Sequence, residues 1–177
     1  MQKMKILALS GSLSKRSSNA QVLEQVADLV PEDIEIILSS SVGELPLFNP
    51  DIDIEPFPPE VQLFRKELRE ADAILICTPE YAYGVPGALK NALDWTVSSG
   101  EFVNKPLALI TASLSGEKAQ AALLQIFTAL SANITPERTL LLSFIRSKID
   151  GEGKFKNDTD REAIKNLLAS LRSLIEQ

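Results

Sequence analysis

Ala73-Ile74-Leu75-Ile76-Cys77-Thr78, running on into Pro79-Glu80-Tyr81-Ala82-Tyr83-Gly84-Val85-Pro86-Gly87, is the stretch whose reading decides the fold. Its first six residues form an unbroken apolar run closed by threonine, as in a strand covered on both faces. The rest holds two prolines and two glycines, so the backbone there must leave regular structure. Helical patterns lie on either side. Val61, Phe64, Leu68 and Ala71 come before, and Leu89, Ala92, Leu93 and Thr96 come after, with Pro86 suited to a first helical turn.

The same unit recurs outward in both directions. Met4-Lys5-Ile6-Leu7-Ala8-Leu9 reads as a strand, followed by a helix with Val22, Leu23, Val26, Ala27 and Val30 on one face, stopped by Pro31. Ile34 to Leu38 reads as a second strand. Residues 42–58 are acidic and rich in proline, which predicts a surface-lying connection. Leu45, Leu47, Phe48 and Ile52 argue against disorder there. Pro106 to Thr111 is the fourth strand, and 117–131 predicts a helix with Ala119, Leu123, Ile126, Phe127 and Leu130 inward. Leu140 to Phe144 is the fifth strand. In the last helix, Thr159 and Glu162 have capping-box spacing, ahead of a stripe of Ile164, Leu167, Leu168, Leu171, Leu174 and Ile175. Strand and helix thus alternate five times, which predicts an α/β domain over residues 1–177: a parallel sheet with helices on both faces. Of the two common doubly wound strand orders, 2-1-3-4-5 suits five strands.

Composition narrows the chemistry. The 177 residues contain no histidine and one cysteine, and the net charge is −6. A Ser-His-Asp triad, a Cys-His pair, a His-ligated zinc site and an internal disulfide are all excluded. The acidic balance opposes nucleic-acid binding through a basic face. Difficult chemistry in such a chain belongs to a bound cofactor. Met1-Gln2-Lys3-Met4 leads straight into the first strand without a secretory signal, and no apolar run is long enough to cross a bilayer. A soluble, cytoplasmic protein is expected.

Ligands of doubly wound sheets sit beyond the carboxyl ends of the strands, which singles out three loops. The first, Ser10-Gly11-Ser12-Leu13-Ser14-Lys15-Arg16-Ser17-Ser18-Asn19, is dense in hydroxyls and opens a helix. Free amides and the helix dipole suit a phosphate monoester, with Lys15 and Arg16 as cations. Plain capping, with Ser18 and Gln21 as a capping box, explains the same residues. Neither G-x-G-x-x-G nor G-x-x-x-x-G-K-[ST] is present. The second loop, Thr78 to Gly87, holds both tyrosines of the chain. It can offer main-chain groups and rings to a planar heterocycle, or it can be a rigid turn whose tyrosines pack on their neighbours. Glu80 is read as serving a helix dipole rather than as an acid or base, Asp94 as the surface partner of Lys90, Trp95 as a core or subunit contact, and Cys77 as a small buried hydrophobe. The third loop, Thr111-Ala112-Ser113-Leu114-Ser115-Gly116, carries no signal alone.

Taken together, Ser10-Gly11-Ser12-Leu13 with Ser17 and Asn19, Leu45-Pro46-Leu47-Phe48-Asn49, and Thr78-Pro79-Glu80-Tyr81 running on through Pro86-Gly87, Leu89-Lys90-Asn91-Ala92 and Asp94-Trp95 resemble the NADPH-dependent FMN reductases, a flavodoxin-like family. The resemblance covers most of the chain. It implies a flavodoxin-like three-layer sandwich that binds FMN and uses NADPH or NADH as co-substrate. Hydride would pass through flavin to FMN, a quinone or a similar small acceptor, with no obligatory acid, base or nucleophile. Ser10, Ser12, Ser17 and Asn19 would hold the phosphate. Pro79, Glu80, Tyr81, Ala82 and Tyr83 would line the ring, and Ser113 and Gly116 would close the far side. A homodimer or homotetramer is implied, with the helix after the Pro-Glu-Tyr block near the contact. Three positions depart from the pattern. Ser14 stands where many members have a phosphate-contacting Arg, for which Arg16 is the candidate substitute. Ala82 stands where many have Asn, and the third loop is poorer in glycine. These bear on whether FMN is held as a prosthetic group or used as a substrate.

Three rivals share the sheet order. A flavodoxin-type electron carrier would fit the acidic surface, but the first loop lacks a Thr/Ser-x-Thr-Gly-x-Thr pattern. A phosphorylated receiver domain would need acidic residues where Ser10-Gly11 and Thr78-Pro79 stand. The third is an interaction protein that has lost the cofactor.

Overall fold

The computed structural model describes residues 3–176; Met1, Gln2 and Gln177, which complete the expected domain span, lie outside the described residues. Five strands, β1 (Met4–Ser10), β2 (Ile34–Leu38), β3 (Ala73–Thr78), β4 (Leu107–Ala112) and β5 (Thr139–Leu142), form one sheet in the order β2-β1-β3-β4-β5. All four pairings are parallel. The helices are α1 (Ser18–Leu29), α2 (Pro59–Glu70), α3 (Gly87–Asp94), α4 (Glu117–Ala129), a single-turn α5 (Ile145–Lys148) and α6 (Asp158–Ile175).

Side chains alternate across a strand, and this divides the core in two. Ile6, Ala8, Leu75 and Cys77 face α1 and α6, meeting Val22, Val26, Ile164 and Leu171. Leu7, Leu9, Ile74 and Ile76 face α2, α3 and α4, meeting Phe64, Leu68, Leu93 and Phe127. β3 and β4 are buried along their whole length, as the middle of a three-layer sandwich requires.

The elements differ from the sequence reading where local detail or edge position decides. β2 has one neighbour only, so its apolar run is not buried throughout: Ile37 and Leu38 are exposed. Ala27, placed on the inner face of the first helix, is exposed on α1. α1 is capped by Ser17, whose Oγ accepts from the Ala20 amide at 3.1 Å, and Ser18 is already helical. Asn157 rather than Thr159 caps α6, accepting from the Asp160 amide at 3.0 Å. Pro86 sits at the cap of α3, one residue before its first turn, and Trp95 and Thr96 lie in the turn beyond it. β5 stops at Leu142 because Phe144 (φ 54°) turns the chain into the left-handed region and directly into α5.

The connection over 42–58 includes two single turns of 3-10 helix, Ser41–Gly43 and Pro50–Ile52. It is held down by polar side chains of α2 and α3. Asn91 accepts from the Phe48 amide at 2.7 Å and donates to the Pro46 carbonyl at 2.9 Å. Trp95 Nε1 donates to the same carbonyl at 2.8 Å, and its ring meets the Phe48 ring edge-on, 5.1 Å between centroids. Trp95 is therefore a core residue. Among the described residues no helix is long and apolar enough to cross a membrane.

Candidate functional site

The carboxyl ends of β1, β3 and β4 come together because these strands are adjacent and parallel. Gly11, just past β1, donates its N–H to the Cys77 carbonyl at 2.8 Å. A Cβ on Gly11 would stand 2.0 Å from Thr78 Oγ1, so only glycine lets the first loop lie this close to β3. The Ser10 hydroxyl donates to the Ser12 carbonyl at 2.8 Å and accepts from the Ser12 amide at 3.2 Å, which folds the loop on itself. Ser12 Oγ then lies 3.4 Å from the Tyr81 hydroxyl.

Asn19, on the first turn of α1, is buried. It donates through Nδ2 to the Ala112 carbonyl at 3.2 Å and accepts the Cys77 thiol proton at 3.3 Å. Both ends of this side chain tie α1 to the sheet, so the main-chain amide is what Asn19 offers to a ligand. Cys77 is fully enclosed, and burial pushes its thiol pKa up, which removes it as a nucleophile.

The second loop is a tight hairpin. Tyr81 and Gly84 exchange N–H···O bonds at 3.1 and 2.9 Å, with Ala82 (φ 48°) and Tyr83 (φ 58°) both left-handed at its tip. A type I′ turn takes this form, and neither tip residue is one that favours it. The base of the loop is bonded to the third loop. Ser113 Oγ accepts from the Glu80 amide at 3.1 Å. The Glu80 carboxylate accepts from Ser115 Oγ and from the amides of Lys118 and Ala119, each at 2.9 Å. Glu80 therefore caps α4, the helix of the next loop, rather than α3 behind its own. Partial burial works against its charge. The Ala119 amide, the Ser115 hydroxyl and the Lys118 and Gly116 amides outweigh that and hold its carboxyl below the ordinary value. Gly116, the cap residue of α4, has φ 107°, and a Cβ there would stand 2.8 Å from Leu141 Cδ1.

These loops bound a cleft of about 840 Å³. Of the residues singled out in the sequence, Ser12, Ser14, Arg16, Ser17, Asn19, Pro79, Glu80, Tyr81 and Ser113 line it. Four do not. Ser10 is spent on the turn, Gly116 is the cap residue of α4, packed against Leu141 and Thr111, and Ala82 and Tyr83 ride at the hairpin tip, where Tyr83 is 82 % exposed. Sequence reasoning missed the remaining wall: Phe144, Ile145, Arg146, Ser147, Ile149 and Asp150, together with Gln21. A four-residue helix has no periodicity to read. The nearest signal was the rule that selects strand ends, applied to β5.

Comparisons with known proteins identify the family. The profile of a family described as NADPH-dependent FMN reductase matches residues 4–146. An NAD(P)H-dependent FMN reductase of Pseudomonas aeruginosa is 36 % identical over 174 residues, covering 96 % of this chain and 94 % of that one. A quinone reductase of Escherichia coli is 33 % identical over 155 residues, covering 84 % and 82 %. Among solved structures, FerB, an NAD(P)H:acceptor oxidoreductase of Paracoccus denitrificans, superposes with a TM-score of 0.79 at 24 % identity, covering 98 % of this chain and 97 % of that one. An archaeal flavodoxin gives 0.63 at 16 % identity, covering 98 % and 100 %, so these two speak to the fold. With most of its length matched by the family profile and by these relatives, the chain belongs to the NADPH-dependent FMN reductase family.

Proposed function

We propose that the protein is an FMN-binding, NAD(P)H-dependent reductase of small acceptors such as quinones or free FMN. One observation carries this reading. The single cleft formed by the three strand-end loops joins a set of unspent donors to a flat ledge. The donors are the hydroxyls of Ser14 and Ser17 with the Ser18 and Asn19 amides, which have no protein acceptor among the described residues, and the Ser12 hydroxyl, whose Oγ lies 3.4 Å from the Tyr81 hydroxyl. They suit a phosphate monoester at the start of a long helix. The ledge, Pro79 to Tyr81, suits a planar ring, and the residues therefore fit FMN.

Bound there, FMN supplies the group that accepts hydride from NAD(P)H and passes it on. The chain's own part is binding and alignment. Ser12, Ser14, Ser17 and the free amides anchor the phosphate. Ser113, by holding the Glu80 amide, sets the height of the ledge. Tyr81 and Leu114, both exposed, border the cleft with apolar surface against which a second planar ligand can lie. The Glu80 carboxylate, fully engaged as an acceptor, moves no proton. Homodimer or homotetramer formation is supported by exposed Val97 and Val103 just beyond α3. A cytoplasmic setting is supported by the lone, buried, free cysteine.

Titration of the purified protein with FMN should quench flavin fluorescence, and NADPH should then bleach the visible flavin band and reduce a quinone. Replacing Ser12 and Ser17 together with Ala should weaken FMN binding at least tenfold, with a smaller effect on riboflavin. A protein that leaves FMN fluorescence unchanged, or a double variant of undiminished affinity, overturns the assignment.

A further inference from the structure

The chain has seven arginines, and five are occupied. Arg65, Arg69, Arg161 and Arg172 are ion-paired, and Arg138 donates to Asn133. Arg16 and Arg146 make no ion pair or side-chain hydrogen bond among the described residues, and both line the cleft. In an acidic protein, the coincidence of the two unengaged guanidiniums at one site calls for a ligand explanation. Carboxylates within the cleft do not supply it. Glu80 is bound by Ser115 and the α4 amides, and Asp150 Oδ1 accepts from the Glu152 and Lys154 amides, each at 2.9 Å. The neighbouring cation, Lys148, is committed to Asp160 at 2.7 Å.

Arg146 is also mounted on a fixed segment. The Phe144 and Ile145 amides donate to the Leu114 and Ser113 carbonyls, both at 3.1 Å, and Ile145 is buried. Phe144 holds a left-handed backbone, φ 54°, which turns the chain directly into α5. On the far side, Gln25 of α1 donates to the Gly153 carbonyl at 2.6 Å and accepts from the Phe155 amide at 2.7 Å, fastening the segment beside the first loop.

We infer that Arg146 is a phosphate-recognition residue of this cleft, the counterpart on α5 of the donor set on the first loop. A guanidinium presents a planar fork matched to phosphate oxygens. A phosphate monoester can come from either of two ligands of the proposed reaction: the 5′-phosphate of FMN or the 2′-phosphate of NADPH. The inference rests on the functional reading above, and the experiment separates the two.

Arg146→Gln and Arg146→Lys are compared with the wild type. Dissociation constants of FMN and riboflavin are measured by fluorescence quenching, and those of NADP⁺ and NAD⁺ by calorimetry on the FMN-loaded protein. Loss of about tenfold in FMN affinity with riboflavin unchanged assigns Arg146 to the flavin phosphate. The same loss for NADP⁺ with NAD⁺ unchanged assigns it to the nucleotide. Arg146→Lys should recover part of either loss, and the salt dependence of the affected affinity should flatten in Arg146→Gln. If Arg146→Gln keeps the wild-type circular dichroism and all four affinities, the inference is overturned while the functional reading stands. A wild-type protein that binds neither FMN nor riboflavin overturns both.

Discussion

Glu80 accepts hydrogen bonds from one hydroxyl of the third loop and two amides of the first turn of α4, while its own amide donates to Ser113 Oγ. One residue therefore locks two loops to each other and completes the first turn of α4, whose cap residue, Gly116, has no side chain to do so. Truncation to Ala should cost about 0.5–2 kcal/mol, the range for losing a helix cap, read as a lower denaturation midpoint. It should also loosen flavin binding through the displaced ledge. The carboxyl titrates below its ordinary value in the folded protein, so its contribution is fully present above the unfolded value, about pH 4.3, and is lost as the pH falls through the folded one. Stability measured from pH 7 down to pH 3 should fall less steeply in Glu80→Gln than in the wild type. Equal acid dependence in the two would show that the carboxylate is not stabilised as the geometry requires.

At the scale of elements, the Leu45-Pro46-Leu47-Phe48-Asn49 block turns out to serve the fold. Its main chain is held by Asn91 and Trp95 of the block that follows β3. Two motifs far apart in sequence are thus halves of one contact, and none of these residues lines the cleft. The rest of the connection is secured by Arg65 of α2. Its guanidinium pairs with Asp53 at 2.7 Å, donates to the Trp95 carbonyl at 2.6 and 2.9 Å, and lies 4.7 Å over the Phe57 ring. Both partners of the ion pair are nearly fully buried. Removing one leaves the other charge uncompensated, at a cost of about 3–5 kcal/mol. Asp53→Ala should therefore lower Tm by on the order of 10 °C, measured by calorimetry. FMN affinity per folded molecule should stay unchanged, because the connection stands apart from the cleft. A large loss of affinity would show that this segment reaches the ligand.

For the whole molecule, the sandwich leaves several large apolar side chains exposed, and two pairs of them bear on function. Leu114 and Phe144 border the cleft, and Val97 and Val103 stand outside it, just past α3. The second pair marks the face expected between subunits. Light scattering after size exclusion should give a multiple of the 19.4 kDa chain mass. Replacing Val97 and Val103 with Glu should return it to the monomer, since a charge buried at an interface core is strongly disfavoured. A monomeric wild type, or a double variant of unchanged mass, would remove this face from consideration.

Strands β1, β3 and β4 and the face of α6 were legible because burial on both sides, or along one stripe, leaves a periodic record in the residues themselves. The strand order followed from the number of units, and the location of the site from the rule that ligands sit at strand ends. That rule gave the loops, and the family resemblance named Ser12, Ser17, Pro79 and Tyr81 within them; all four line the cleft. The capping residues Ser17 and Asn157 were misplaced by one or two positions, because a hydroxyl or amide pattern fits several registers equally well. What the tertiary structure alone decided is the fourth wall. Arg146 lines the same cleft as the first loop, on a segment that Phe144 turns and that Gln25 fastens to residues over 120 positions away. Local pattern encodes which face of an element is apolar, since that depends on the element's own geometry. It does not encode which distant loops share a cleft, since that depends on hydrogen bonds formed only after the layers have packed.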